Sequence, residues 1–264
     1  MADAFVSLVP EWAAGIVRAI TAKQASTFVL HGVPADLVPH RANDGLTFEL
    51  LETFLTETLF ESFPSRILYN RAEGLGFSTA DAKRHFVDRL KAYDAVHGTS
   101  WSDGLPRDAA NAFALLDSYF RHCASLTPAR PVVLLLPFAE TLVPAGDASY
   151  RNSEDRAVLV YLRKWAQDPV LLAKNIVVVL VTESLAELDP KLVRASATRE
   201  VEIPRPNLVE RREYVEAVRS PDWFAKSSEV PPQRLAELAS GMTRRASAMP
   251  GSTTRTLAKS LSIT

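Results

Sequence analysis

The order of apolar runs and helix-period segments predicts an α/β fold: a five-stranded parallel sheet sandwiched by helices, followed by a small helical lid. Three observations carry this prediction. "VVLLL" (132–136) and "IVVVLV" (176–181) are near-continuous Val, Leu and Ile, as central parallel strands buried on both faces require. Segments with apolar residues three and four apart lie between the strand-like runs. After "IPRP" (203–206) the chain reads as helix and turn only.

Taken in order, "EWAAGIVRAITAKQ" is a first helix and "TFVLHG" (27–32) a first strand. "TFELLETFLTETLFESF" carries Phe48, Leu51, Leu55 and Leu59 at helical spacing and predicts an amphipathic helix. "SRILYN" is a second strand, and "STADAKRHFVDRLKAY" opens with a Ser/Thr cap. The Gly, Ser, Asp and Pro cluster in "HGTSWSDGLPRD" predicts a loop before the helix "AANAFALLDSYFRHCASL". The third strand is "PVVLLL". A helix follows over 154–175, broken at Asp168-Pro169 because proline disfavours helix in the residue before it. "NIVVVLVTES" and "TREVEIPRP" supply the fourth and fifth strands. Helices "NLVERREYVEAVRS" and "PPQRLAELASGM" form the lid, which places a domain boundary between 1–206 and 207–264. From Thr243 the periodicity weakens, as in a frayed tail or an incomplete last helix.

Composition narrows the function classes. The chain has 264 residues, 47% of them hydrophobic and 23% charged, enough for a real core. Thirty Lys and Arg against 31 Asp and Glu give a net charge of -1, which argues against a protein built to grip a nucleic-acid backbone. The single cysteine, Cys123, cannot form an internal disulfide and fits a reducing compartment. No basic segment precedes an apolar block at the start, and no run of 18 apolar residues occurs, so the expected location is cytoplasmic.

Two phrases carry a family resemblance. In "VVVLVTESLAELDPKL", Thr182 ends a strand, and Leu188, Asp189, Pro190 and Leu192 follow at the spacing of AAA+ ATPases. In "REVEIPRPNLVERREYV", Arg199, Ile203, Pro204, Pro206 and Arg212 resemble that family's fifth strand and first lid helix, and "LAELASGMT" resembles its lid. The motif likeness spans roughly 130 to 242; the first half shares element order only. It implies an AAA+-like P-loop NTPase core.

The chemistry of that family needs residues that this chain lacks at the matching positions. A phosphate loop, G-x-x-x-x-G-K-[ST], cradles anions on backbone N–H groups and neutralises them with lysine. Here "HGVPADLVPHR" follows the first strand: Gly32 and Pro34 open the loop, but Asp36, Leu37 and Val38 stand where Gly-Lys-Thr belongs. The acidic pair that would hold magnesium corresponds to Pro137 and Phe138, with Glu140 on a later acidic position. Glu183 replaces the asparagine that orients water beside Thr182, and Arg199, with Arg194 nearby, corresponds to arginines that reach a neighbouring subunit.

The resemblance therefore implies a module with degenerate phosphate-loop, acidic-pair and water-orienting motifs, similar to the N-terminal non-catalytic half of a tandem AAA+ protein. Its expected role is assembly, regulation or partner engagement. Expected partners are other AAA+ subunits, a catalytic AAA+ module elsewhere, or a protein substrate or adaptor; membrane and nucleic acid are not expected. No cofactor or metal is expected; ATP with magnesium enters only under two alternatives. One is an atypical nucleotide site in which Arg66 or Arg71 replaces the lysine. The other is an unrelated α/β enzyme using Asp36, Asn70, Glu73, Glu140, Thr182 and Glu183 at the strand ends. Bland readings compete throughout: "EGLGF" (73–77) as a turn, His31 as a rim residue, Cys123 as a buried inert thiol, and Arg244, Arg245, Arg255 and Lys259 as a solvated basic stretch.

Overall fold

A computed structural model describes residues 7–42, 45–146, 152–218 and 231–247. The expected tail beyond residue 247, the last residues of the helix expected to end at 220, and the segment up to 230 lie outside these. The chain forms two compact units. The first holds residues up to Pro34 together with Glu52–Ile203; the second holds Ala35–Leu51 and the chain from Pro204 onward. The second unit therefore draws on two stretches of the chain, one of them Ala35–Leu51, which chain order alone assigns to the core.

The first unit is a sheet with helices. Its strands are β1 (Thr27–Gly32), β4 (Ser65–Asn70), β5 (Gly74–Phe77), β6 (Val132–Leu136), β7 (Ile176–Val181) and β8 (Thr198–Ile203), in the order β5-β4-β6-β7-β1-β8. Five strands run parallel, and β5 pairs antiparallel with β4 through Ile67 opposite Phe77 and Asn70 opposite Gly74. The glycine-rich segment expected as a turn is therefore an edge strand, and the sheet has six strands rather than five. Two glycines suit a short edge strand, which has one neighbouring strand to pair with rather than two.

Every residue of β6 is buried, as are the first five of β7, so both faces of the central sheet are covered. The helices are α1 (Glu11–Thr21), α2 (Leu51–Thr53, continuing as a π-helix over Phe54–Leu59), α3 (Ala80–His97), α4 (Ala109–Ser125), α5 (Ser153–Ala166), α6 (Pro169–Ala173) and α7 (Pro190–Val193). Their starts follow from local chemistry. Thr79 accepts from the Ala82 N–H, and Asp108 from that of Asn111. Asp168 and Asp189 each cap a helix whose first residue is proline, where the missing N–H costs nothing. On one side Trp165 stacks on Phe113 at 5.3 Å and meets Phe120 edge-on at 4.9 Å, while its indole N–H donates to Asp117 at 2.7 Å. Truncating a ring buried in this way costs about 3–5 kcal/mol.

The second unit starts with a hairpin, β2 (Leu37–Ala42) paired antiparallel with β3 (Gly45–Leu50). Sequence reading placed a loop over the first of these and the start of a helix over the second. The helical spacing of Phe48, Leu51, Leu55 and Leu59 competes with an alternation of Leu46, Phe48 and Leu50 that fits a strand equally well. Packing decides: Phe48 meets Tyr214 edge-on at 4.8 Å, and helix begins only at Leu51. Tyr214 belongs to α8 (Leu208–Val218), which is followed by α9 (Pro232–Leu238) and α10 (Arg244–Ser247). Asn207 and Glu210 form a reciprocal capping box at the start of α8. The Arg211 guanidinium, itself buried, donates to the carbonyls of Pro206 and Ala236 and so joins α8 to α9. No helix among the described residues is long and apolar enough to cross a membrane.

Candidate functional site

The C-terminal ends of β1, β7 and β8 come together in the first unit, where open parallel sheets generally place ligands. Here the backbone is bonded to itself. Gly32 N–H donates to the Glu183 carbonyl at 3.2 Å, and Val33 N–H donates to the Ile203 carbonyl at 3.2 Å. These N–H groups, of the last residue of β1 and the one after it, are both already satisfied by protein. Gly32 has φ +109°, and a Cβ built on it would lie 2.5 Å from the Ile203 carbonyl oxygen. Only glycine allows this approach.

Thr182 is buried at the end of β7. Its backbone N–H continues the ladder to the Leu30 carbonyl, and its hydroxyl donates to the Ser184 carbonyl at 3.3 Å. Glu183 is exposed and contributes its carbonyl rather than its carboxylate to the Gly32 contact. The neighbouring motif residues build scaffold: Asp189 accepts from the Lys191 N–H at 2.7 Å, and Leu188 and Leu192 are fully buried.

At the tip of β6, Pro137 is followed by Phe138, which is 63% exposed and sits in the left-handed region at φ 55°, ψ 45°. The Phe138 carbonyl accepts from both the N–H and the hydroxyl of Thr141. Glu140 lies in that turn, with one carboxylate oxygen buried and lacking a hydrogen-bond partner among the described residues. Asn70 and Glu73 make a local turn at the end of β4: the Asn70 side-chain amide donates to Glu73 at 2.8 Å, and its oxygen accepts from the Ala72 and Glu73 N–H groups.

The two cations considered as lysine replacements are both engaged inside the chain. Arg71 donates to the Thr141 carbonyl at 2.7 Å, to Glu154 at 2.5 Å, and to Asp155. Glu154 also accepts the Ala109 N–H. Burial raises its carboxyl, but the Arg71 and backbone hydrogen bonds outweigh that and leave it below the usual value. Arg66 is 8% exposed and donates to the Glu61 carbonyl at 2.7 Å. Arg194, at the end of α7, and Arg199, near the start of β8, are exposed. Among the described residues no three His, Cys, Asp or Glu side chains converge as metal ligands would. Cys123 is fully buried, and burial pushes its thiol up to about 11.

Asp36, Leu37 and Val38 belong to the second unit. Asp36 is 3% exposed, and its two carboxylate oxygens take different donors. The Arg244 guanidinium reaches one at 3.2 Å and the Arg245 N–H reaches the other at 3.1 Å. Arg244 also donates to the Leu37 carbonyl and lies 3.3 Å from Glu210. Val38 is buried. No sequence pattern marks the role of Arg244: it stands in a basic stretch of weak periodicity, and its partners lie 34 residues (Glu210) and 208 residues (Asp36) away along the chain.

Residues 3–204 match the family model described as AAA+ chaperone, N-terminal Rossmann-like domain. No curated protein matches the chain in sequence. Among solved structures, a chain of the E. coli MS115-1 HORMA:CdnC:Trip13 complex superposes with a TM-score of 0.50 and 16% sequence identity. That match covers 95% of the present chain and 73% of the other, and it is a likeness of fold.

Proposed function

Because the chain belongs to the family of AAA+ chaperone N-terminal Rossmann-like domains, we propose that it is a non-catalytic module of an AAA+ system, serving assembly, regulation or the engagement of a protein partner. One observation carries the proposal. Beyond β1, where a phosphate-binding NTPase folds a loop and helix around the anion, this chain folds a hairpin, and the residue leading into it is a buried, ion-paired aspartate. A carboxylate repels the anion that a lysine would hold.

The residues at the other stations do not fit magnesium-ATP either. Pro137 and Phe138 offer no ligand for a metal, Glu183 faces solvent, and the N–H groups of Gly32 and Val33 already serve carbonyls. Arg66 and Arg71 are held by internal acceptors, which disfavours a relocated nucleotide site. A structural neighbour comes from an assembly with HORMA and CdnC proteins, which supports a role among protein partners for this fold. Arg194 and Arg199 are exposed; on this reading they face a neighbouring subunit, where guanidiniums favour carboxylates of the partner.

Phosphate release from ATP and magnesium tests the reading. The purified chain is expected to release none above buffer, across every fraction of its chromatographic peak. A steady rate that tracks the protein through the peak would overturn the proposal.

A further inference from the structure

Asp36 and Arg244 are 3% and 5% exposed, and a charge buried to that degree persists only with a partner and hydrogen bonds. The donors that meet Asp36 are a guanidinium and a backbone N–H, converging on separate oxygens of one anion. This is the donor set proteins use for phosphate as well as for carboxylate. Glu210, which also completes the capping box of α8, lies 3.3 Å from another nitrogen of the same guanidinium. The hairpin, the start of α8 and the start of α10 therefore meet at a single buried cation. Arg244 Nε has no hydrogen-bond partner among the described residues, so the Asp36 and Glu210 carboxylates and the Leu37 carbonyl on the other nitrogens carry its stabilisation.

We propose that Asp36 is a built-in anionic ligand: its carboxylate fills an oxyanion site formed by the Arg244 guanidinium and the Arg245 N–H, and holds the second unit together without a bound nucleotide. The inference rests on the non-catalytic reading and deepens it, since it gives the aspartate at the phosphate-loop position a role of its own. Removing the carboxylate frees the Arg245 N–H and the guanidinium nitrogen that Asp36 held, while Glu210 stays on another nitrogen of Arg244. The external ligand these donors then take is a small tetrahedral oxyanion, with inorganic phosphate as the probe.

The test is hydrogen exchange over residues 37–50 and 208–217, with thermal unfolding, for the wild type and Asp36→Ala, titrated with phosphate at constant ionic strength. The wild type is expected to show no saturable response. In Asp36→Ala both segments lose protection together, and phosphate restores it saturably with a rise in Tm; adding Arg244→Ala abolishes the rescue. Equal phosphate responses in wild type and variant, or protection unchanged by the substitution, would overturn the inference. If Asp36→Ala does not fold, Asp36→Asn keeps the shape and removes the charge. Joint loss of protection in the two segments then supports the inference, and unchanged protection overturns it. Saturable ATP binding by the wild type would sink the non-catalytic reading itself. A phosphate-blind Asp36→Ala beside an ATP-silent wild type would sink only the inference.

Discussion

Gly32 and Ile203 approach so closely that a Cβ on Gly32 would lie 2.5 Å from the Ile203 carbonyl oxygen. The contact joins the ends of β1 and β8, and the Val33 N–H donates to that same oxygen. Gly32→Ala has to move one strand end or strain a backbone at φ +109°. The expected cost is about 2–3 kcal/mol in chemical denaturation. An unchanged midpoint would show that the strand ends separate freely.

Arg71 ties the end of β4 to the turn after β6 and to the start of α5 through Thr141, Glu154 and Asp155. Arg71→Ala leaves the Glu154 and Asp155 carboxylates without their shared cation, and the expected destabilisation is roughly 1–3 kcal/mol, since the site is partly open to solvent. Glu154→Gln added to Arg71→Ala should recover part of the loss by removing one of the two charges. A double-mutant cycle measures this, and additive effects would show that the ion pair is inert.

Asp94 controls an acid limb. Burial raises its carboxyl, but hydrogen bonds from the Thr99 hydroxyl and from the Ser102 and Trp101 N–H groups outweigh that and bring it to about 2. The unfolded value is near 3.8. With the folded value below the unfolded one, the contribution is fully present above pH 3.8 and is lost as the pH falls to about 2. Asp94→Asn should therefore be less stable at neutral pH and show a shallower loss of stability across that window. Parallel pH profiles for the two proteins would contradict the assignment.

Much of the fold was legible because its signals are local. Near-continuous apolar runs mark β6 and β7, and Asp168-Pro169 and Asp189-Pro190 mark helix starts. The hairpin was not legible, because Phe48 serves a helical and a strand period at once and its partner Tyr214 is remote in sequence. Edge strand β5 escaped for a similar reason: "GLGF" has turn composition, and only pairing with β4 makes it a strand. At the candidate site, the resemblance named which residues stand at the family's motif positions. The pairing of Asp36 with Arg244 was not legible, because buried ion pairs between distant segments leave no periodic trace.

Phe138 is a position where the chain accepts strain without burying the ring. It is 63% exposed in the left-handed region, which costs a non-glycine residue about 1–2 kcal/mol. Phe138→Gly should leave stability unchanged or raise it by up to about 1 kcal/mol, after the entropy that glycine adds to the unfolded chain. A large loss of stability would mean that the ring packs in solution.

The central claim is that this AAA+ family module has exchanged nucleotide chemistry for a fixed internal structure. Calorimetric titration of the intact chain with ATP and magnesium, run beside thermal unfolding at the same concentrations, tests it most directly. The account predicts no saturable heat and no shift in Tm. Saturable, magnesium-dependent heat with a matching rise in Tm would contradict it, and would mean that the hairpin after β1 binds the phosphates it is argued to exclude.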